Sequence, residues 1–318
     1  MKIGNLYGLD HFKKFADSAS QVGFKDSFAG TVLARNLTAV DPQIFEKKYP
    51  ELAFINSGIQ VDNTGGYSRR IQSLRLQDQG GFTTAGDASS NKGKISLAGE
   101  ESFLNVVIRE SHSIWSDDEI QEADLQGINL VSRYVETHNR IYLRELDAIG
   151  YLGINGNAGL LNFSGFTAES AGDTVDELTS LEAYDEIATL ITDQRNGVNN
   201  TPEYMANRVD MPVRVMNELS KKILDTGNGS MTVMTALQNN FPDIQFRGTF
   251  RADGVAGVGS VTVAYNNNDE AMKMRVPLAL TIGEIVKTNS WDFRVDSKYR
   301  VAGLDILESS AGRYLTGL

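Results

Sequence analysis

The chain contains no cysteine, only six prolines and three histidines in 318 residues. Without cysteine there is no disulfide framework, no thiolate nucleophile and no Cys-ligated zinc or iron-sulfur site. The histidines, His11, His112 and His138, are too far apart in sequence for any two to have a metal-ligand spacing. Positive charge is scarce: 30 Lys and Arg stand against 41 Asp and Glu, a formal charge of −11, and no Lys/Arg run exceeds two residues. A chain so acidic and so free of basic clusters is not an electrostatic nucleic-acid clamp. No stretch approaches 18 apolar residues and the N-terminus lacks a secretory h-region, so a cytoplasmic site of synthesis is expected. The acceptor tripeptides at Asn36, Asn162, Asn199 and Asn228 then read as chance matches.

What is present is 41% hydrophobic residues, enough for a packed core, and 30 glycines, which imply many turns and extended loops. Residues 1–52 scatter Phe, Tyr, Leu and Ile among small and charged residues without a sustained period. They read as an arm that buries its apolar side chains elsewhere, on the same chain or on a neighbour. Strand patterns follow at Tyr67 to Gln77 and Ser102 to Arg109. Between them Asp78 to Gly99 is glycine-rich and polar, a long hairpin tip with no core of its own, which points to a partner that holds it.

Ser116-Asp117-Asp118-Glu119 is a capping box, with its acids on the positive end of the helix dipole. From there apolar residues recur at three- and four-residue spacing through Ile128 to Ile149, and Gly150 and Gly153 are expected to stop the helix. The pattern predicts one helix over 116–150, about 50 Å at 1.5 Å per residue. Further helices are expected at Ser180 to Arg195, Met211 to Thr226 and Thr232 to Asn239. Strands are expected at Asp243 to Arg247, Ser260 to Tyr265, Met272 to Val276, Trp291 to Asp296 and Tyr299 to Ile306. The chain reads as α+β.

Every catalytic constellation is broken. Gly254, Gly257 and Gly259 reverse the dinucleotide order with no helix pattern behind them, and Asn91 to Ser96 lacks the first glycine and the Ser/Thr of a phosphate loop. Asp117-Asp118-Glu119 is accounted for by capping. His138, near the apolar stripe, fits a hydrogen-bonded core or interface histidine better than a base. Arg69, Arg70 and Arg75 are the densest positive feature; they are either a solvated strand face or the partners of carboxylates on an adjacent subunit.

An apolar arm, a long hairpin with a glycine-rich tip (Tyr67 to Ile114), a capped spine helix (Ser116 to Gly150), the turn Gly159-Leu160-Leu161-Asn162 and the strand Trp291 to Val301 together resemble the major capsid proteins of tailed bacteriophages. These share the Hong Kong 97-like fold with the encapsulins. The resemblance implies a virion shell subunit, not an enzyme, with five parts. They are an N-terminal arm (1–52), an E-loop region (53–114), a P-domain with the spine helix (115–160), an α+β A-domain (161–285) and a C-terminal return to the P-domain (286–318). It implies self-assembly into pentamers and hexamers around double-stranded DNA that is held without strong binding, assembly in a bacterial cytoplasm, and scaffolding, portal and decoration proteins as partners. No cofactor and no metal are expected. Because the arm beginning at Met1 is short, a separate scaffolding protein is expected. Lys92 and Lys94 have no identifiable cross-linking acceptor. The candidate assembly contacts are Arg69, Arg70, Arg75, Phe82, Lys92 and Lys94, and Ser116 and Glu119 are the helix cap. The alternatives are an encapsulin-like compartment, which residues 1–52 suit poorly, an unrecognised soluble enzyme, and a tail-tube protein, which the long helix disfavours.

Overall fold

The computed structural model describes residues 52–83, 93–125, 127–198, 201–225, 230–255 and 259–318. The arm expected over 1–52 therefore lies, apart from Leu52, outside the described residues. After the short strand β1 (Val61–Asp62), strands β2 (Arg70–Gly80) and β3 (Ile95–Asn105) form an antiparallel hairpin paired from Arg70↔Asn105 to Gly80↔Ile95. The ladder thus runs well into the stretch expected as a loop, and the tip shortens to 81–94. Alternating side chains suit a pleated strand even where little is buried.

The chain continues almost without a break into β4 (Val107–Ser116), which leaves β2 and pairs instead with a strand near the C-terminus. The expected single helix is two, α1 (Asp117–Leu125) and α2 (Leu130–Leu152). Gly127 adopts φ 72°; its N–H donates to the Asp124 carbonyl and that of Ile128 to the Ala123 carbonyl, closing a Schellman motif that ends α1. The Asn129 side chain then accepts from the Ser132 N–H and starts α2. Ile128 consequently sits half-buried in the link between helices, not on a helical stripe. Gly150 does not stop α2. A Cβ there would lie 2.3 Å from the Phe54 ring, so the glycine admits Phe54 against the helix, and Gly153 is the C-cap.

Next come β5 (Thr167–Ser170), α3 (Ser180–Gly197), entered through a Thr179–Glu182 capping box, and β6 (Arg208–Pro212), which occupies the start of the expected third helix. Pro212 is the N-cap of the shorter α4 (Val213–Lys221). The hairpin β7 (Ile223–Asp225) and β8 (Ser230–Thr232) leads to α5 (Val233–Asn240). Then follow β9 (Gln245–Thr249), β10 (Val261–Tyr265), β11 (Met272–Arg275), β12 (Leu278–Ile282), β13 (Val286–Lys287), β14 (Asp292–Val301), β15 (Gly303–Ile306) and β16 (Gly312–Thr316).

Three sheets organise these elements. One has the order β5-β16-β10-β6-β9, a second β1-β11-β15, and in the third β14 pairs with β12, β13 and β4. The central strands of the first, β16, β10 and β6, are largely buried on both faces, and the strand period of two sends their alternate side chains to opposite sides. On β10, Val261, Val263 and Tyr265 point into one core, which also holds Leu146, Ile149 and Tyr151 of α2, while Ala264 joins a second core beneath α3, α4 and α5. The C-terminal segment expected to return to the P-domain is divided: β14 lies with β4 under α2, whereas β16 inserts between β5 and β10.

Candidate assembly surface

The β2–β3 register sorts the hairpin into two unlike faces. Cross-strand pairing puts Arg70, Gln72, Leu74 and Leu76 on one face together with Phe103, Leu97 and Ile95. Leu74 and Leu76 are 60% and 62% exposed, and Leu97, Ile95 and Phe103 are exposed as well. Both leucines close over Gly99, where a Cβ would meet them at 3.7 and 3.6 Å. These exposed apolar side chains are interleaved with Gln72, Asp78 and Glu101 on the same face, on an element that projects from its cores, and apolar area left exposed in this way marks an interaction site.

The opposite face holds the hairpin root to its own body. Ser73 Oγ donates to Asp305 Oδ2 at 2.5 Å, and Arg75 forms an ion pair with Glu308 and donates to the Leu307 carbonyl at 3.4 Å. Arg275 extends the clasp, donating to Asp305 at 3.0 Å and pairing with Asp62. Burial works to raise the Asp62 carboxyl, but the Thr64 hydrogen bonds and the Arg275 and Lys273 charges prevail and hold it below the usual range.

The arginines therefore divide. Arg75 has a carboxylate partner within its own chain, so the hairpin root has more intramolecular cover than its sequence suggests. Arg70 donates to Asn105 Oδ1 at 3.2 Å and lies over the Phe103 ring at 5.2 Å, on the apolar face. Arg69 is exposed with no side-chain partner among the described residues. Phe82 is 95% exposed at the edge of the tip and Lys94 is exposed, whereas Lys92 lies outside the described residues. Ser116 and Glu119 cap α1 reciprocally, with Glu119 N–H donating to Ser116 Oγ at 3.2 Å and Ser116 N–H to Glu119 Oε2 at 3.0 Å. Leu74, Leu76, Leu97 and Ile95 were not singled out from sequence. Their signal is the shared parity of two strands, which emerges only once the register is known.

His138 is buried with both ring nitrogens engaged, Nε2 at 2.8 Å from Ser113 Oγ and Nδ1 at 2.8 Å from Ser297 Oγ, so it bolts α2 to β4 and β14. Burial, reinforced by the His112 charge, holds its pKa below the ordinary value. Asp210, on β6, is fully buried between the two cores and accepts from Tyr151 Oη at 2.7 Å and Tyr265 Oη at 3.1 Å; burial pushes its pKa up. The turn Gly159 to Asn162 is latched, with Gly159 N–H donating to Asn162 Oδ1 at 2.6 Å and Asn162 Nδ2 to the Leu152 carbonyl at 2.8 Å. Among the described residues no group of three or more His, Asp or Glu is placed to hold a metal, and no helix is long and apolar enough to cross a membrane.

The profile of the family described as Major capsid protein matches residues 84–318. Among solved structures, the capsid of Myoviridae phage XM1 is 42% identical, with TM-score 0.80 over 90% of this chain and 98% of that one. The capsid of a native GTA particle, computed with C5 symmetry, superposes with TM-score 0.67 at 12% identity over 90% of this chain and 97% of that one. That of cyanophage P-SCSP1u gives 0.60 at 11% over 88% and 92%. The two distant likenesses bear on the fold alone. No curated protein matches in sequence.

Proposed function

The chain belongs to the major capsid protein family, structural subunits of phage heads, and we propose that it builds an icosahedral shell of pentamers and hexamers around double-stranded DNA. The observation that carries this reading is the apolar face formed by Leu74, Leu76, Leu97, Ile95 and Phe103, on a hairpin anchored at its root by the opposite face. In a monomer that face would be left in water; laid across a neighbouring copy it removes apolar area at about 25 cal/mol per Å². The contact recurs at every subunit, so a modest affinity per site suffices for a very stable closed shell.

In this reading residues 53–114 are the E-loop region, 115–160 the P-domain, 161–285 with β16 the A-domain, and the remainder of 286–318 the return to the P-domain. Residues 1–52 lace neighbours together. Arg69, Arg70, Phe82, Lys92 and Lys94 are the contacts nearest the hairpin tip and root, with Arg75 acting first within its own chain. The charge of −11 lets the shell contain DNA without adhering to it. Scaffolding, portal and decoration proteins complete the head, which assembles in the host cytoplasm, and the chain acts as shell material with no reaction of its own. Replacing Leu74, Leu76 and Leu97 together with Ser should leave far-UV circular dichroism unchanged while abolishing particles in sedimentation and electron microscopy. Normal particles from that variant would remove the hairpin face as the contact that holds the shell, and absence of particles from the wild-type chain would defeat the shell reading.

A further inference from the structure

Residues 95–116 form one nearly continuous extended run whose two edges are used differently. In an antiparallel ladder, alternate residues send both backbone groups to one side. The even-numbered residues face β2, as the register Leu104↔Ile71 and the bond from Val106 N–H to the Arg69 carbonyl at 3.0 Å establish. The odd-numbered residues face the other side. The Asn105 carbonyl accepts from Asn157 Nδ2 at 2.8 Å, the same nitrogen that donates to the Ala302 carbonyl beyond β14, and Asp117 N–H donates to the Trp291 carbonyl at 2.8 Å. From Val107 to Ser116 that side is paired with β14 throughout.

β2 begins at Arg70, so past Val106 the even side has lost its neighbour. At the far end, Ser116 N–H is taken by Glu119. Between these points Ile108, Glu110, His112 and Ile114 present four N–H and four C=O groups along an edge that no described strand occupies. Ile108 and Ile114, at the two ends of the stretch, are half exposed. A straight strand edge of this length is a template for another chain, and main-chain pairing along such an edge is a recurring mode of recognition.

We infer that the open edge of β4, from Ile108 to Ile114, takes up an extended strand from a second copy of this chain, continuing the line that β2 occupies beside β3. The inference rests on the shell reading above: in a shell the chain beside each subunit is another copy, and an edge left open on a free subunit would otherwise invite uncontrolled pairing. Glu110 and His112, between the two isoleucines, would set the chemistry of the incoming strand, which meets apolar, acidic, basic and apolar positions in turn.

Hydrogen exchange read at single-amide resolution, on full-length subunits and on purified shells of the same protein, tests this. The amides of Ile108, Glu110, His112 and Ile114 should slow by roughly a hundredfold on assembly, while those of Arg109, Ser111 and Ser113, already bonded to β14, change far less. His112→Pro removes an outward donor without touching the β14 ladder, so the variant should fold and lose shell yield. Three results would overturn the inference: even-numbered amides exchanging equally fast in both states, full protection already in the isolated subunit, which assigns the edge to its own chain, or His112→Pro shells as stable as wild type. In each of these shells still form, so the shell reading survives; failure of the wild-type chain to assemble at all would sink both.

Discussion

Arg75 and Arg69 are separated by six positions in one strand region, yet they belong to different classes of residue. Arg75 meets Glu308, whose side chain is only 9% exposed and also accepts from Ser310 N–H at 3.1 Å and Ser310 Oγ at 2.7 Å. Arg75→Gln should cost the subunit about 1 kcal/mol, seen as a fall of a few degrees in thermal midpoint, because it strands a largely buried carboxylate. Arg69→Gln should stay within about 0.5 kcal/mol of wild type. Equal effects from both would mean that the clasp contributes nothing. His138 gives a pH signature. Its folded-state pKa is depressed below 6.5 by burial, so the folded protein keeps it neutral while the unfolded chain protonates. Its contribution is complete above pH 6.5 and is lost as pH falls from there toward the folded pKa. The difference in stability between wild type and His138→Gln should therefore shrink across that window, and a pH-independent difference would refute it.

Helix and strand boundaries show what the sequence made legible and what it withheld. The Ser116 capping box, the start of α5 at Thr232 and the strand over 261–265 follow from local rules that need no tertiary information. The division of the spine into α1 and α2 was also written in the sequence, as Gly127 followed by Asn129 and Ser132. The apolar period simply runs across the break and outweighs those signals. Gly127→Ala, forced to φ 72°, should cost about 1 kcal/mol. Gly150→Ala should cost more, because its methyl would collide with Phe54, and thermal melts that ranked the two in reverse would contradict the packing described. The change of partner from β2, beside β3, to β14, beside β4, and the shared face of Leu74, Leu76, Leu97 and Ile95, depend on pairing between distant segments. Periodicity along a single strand carries no information about its partner.

Two cores share the five-stranded sheet, one beneath the three helices α3, α4 and α5 and one against α2, so the body carries its own packing. The hairpin does not: its root is clasped by Arg75 and Ser73, and its exposed leucines are uncovered. A stable body joined to an incomplete appendage is the physical form of a subunit that is finished by its neighbours. A reconstruction of assembled particles by electron cryomicroscopy, at a resolution that shows side chains, measures this directly. The account predicts closed shells in which Leu74, Leu76 and Leu97 of every subunit are covered by an adjacent copy while Arg75 keeps its contact with Glu308 of the same chain; shells in which that leucine face stands open to solvent would contradict it.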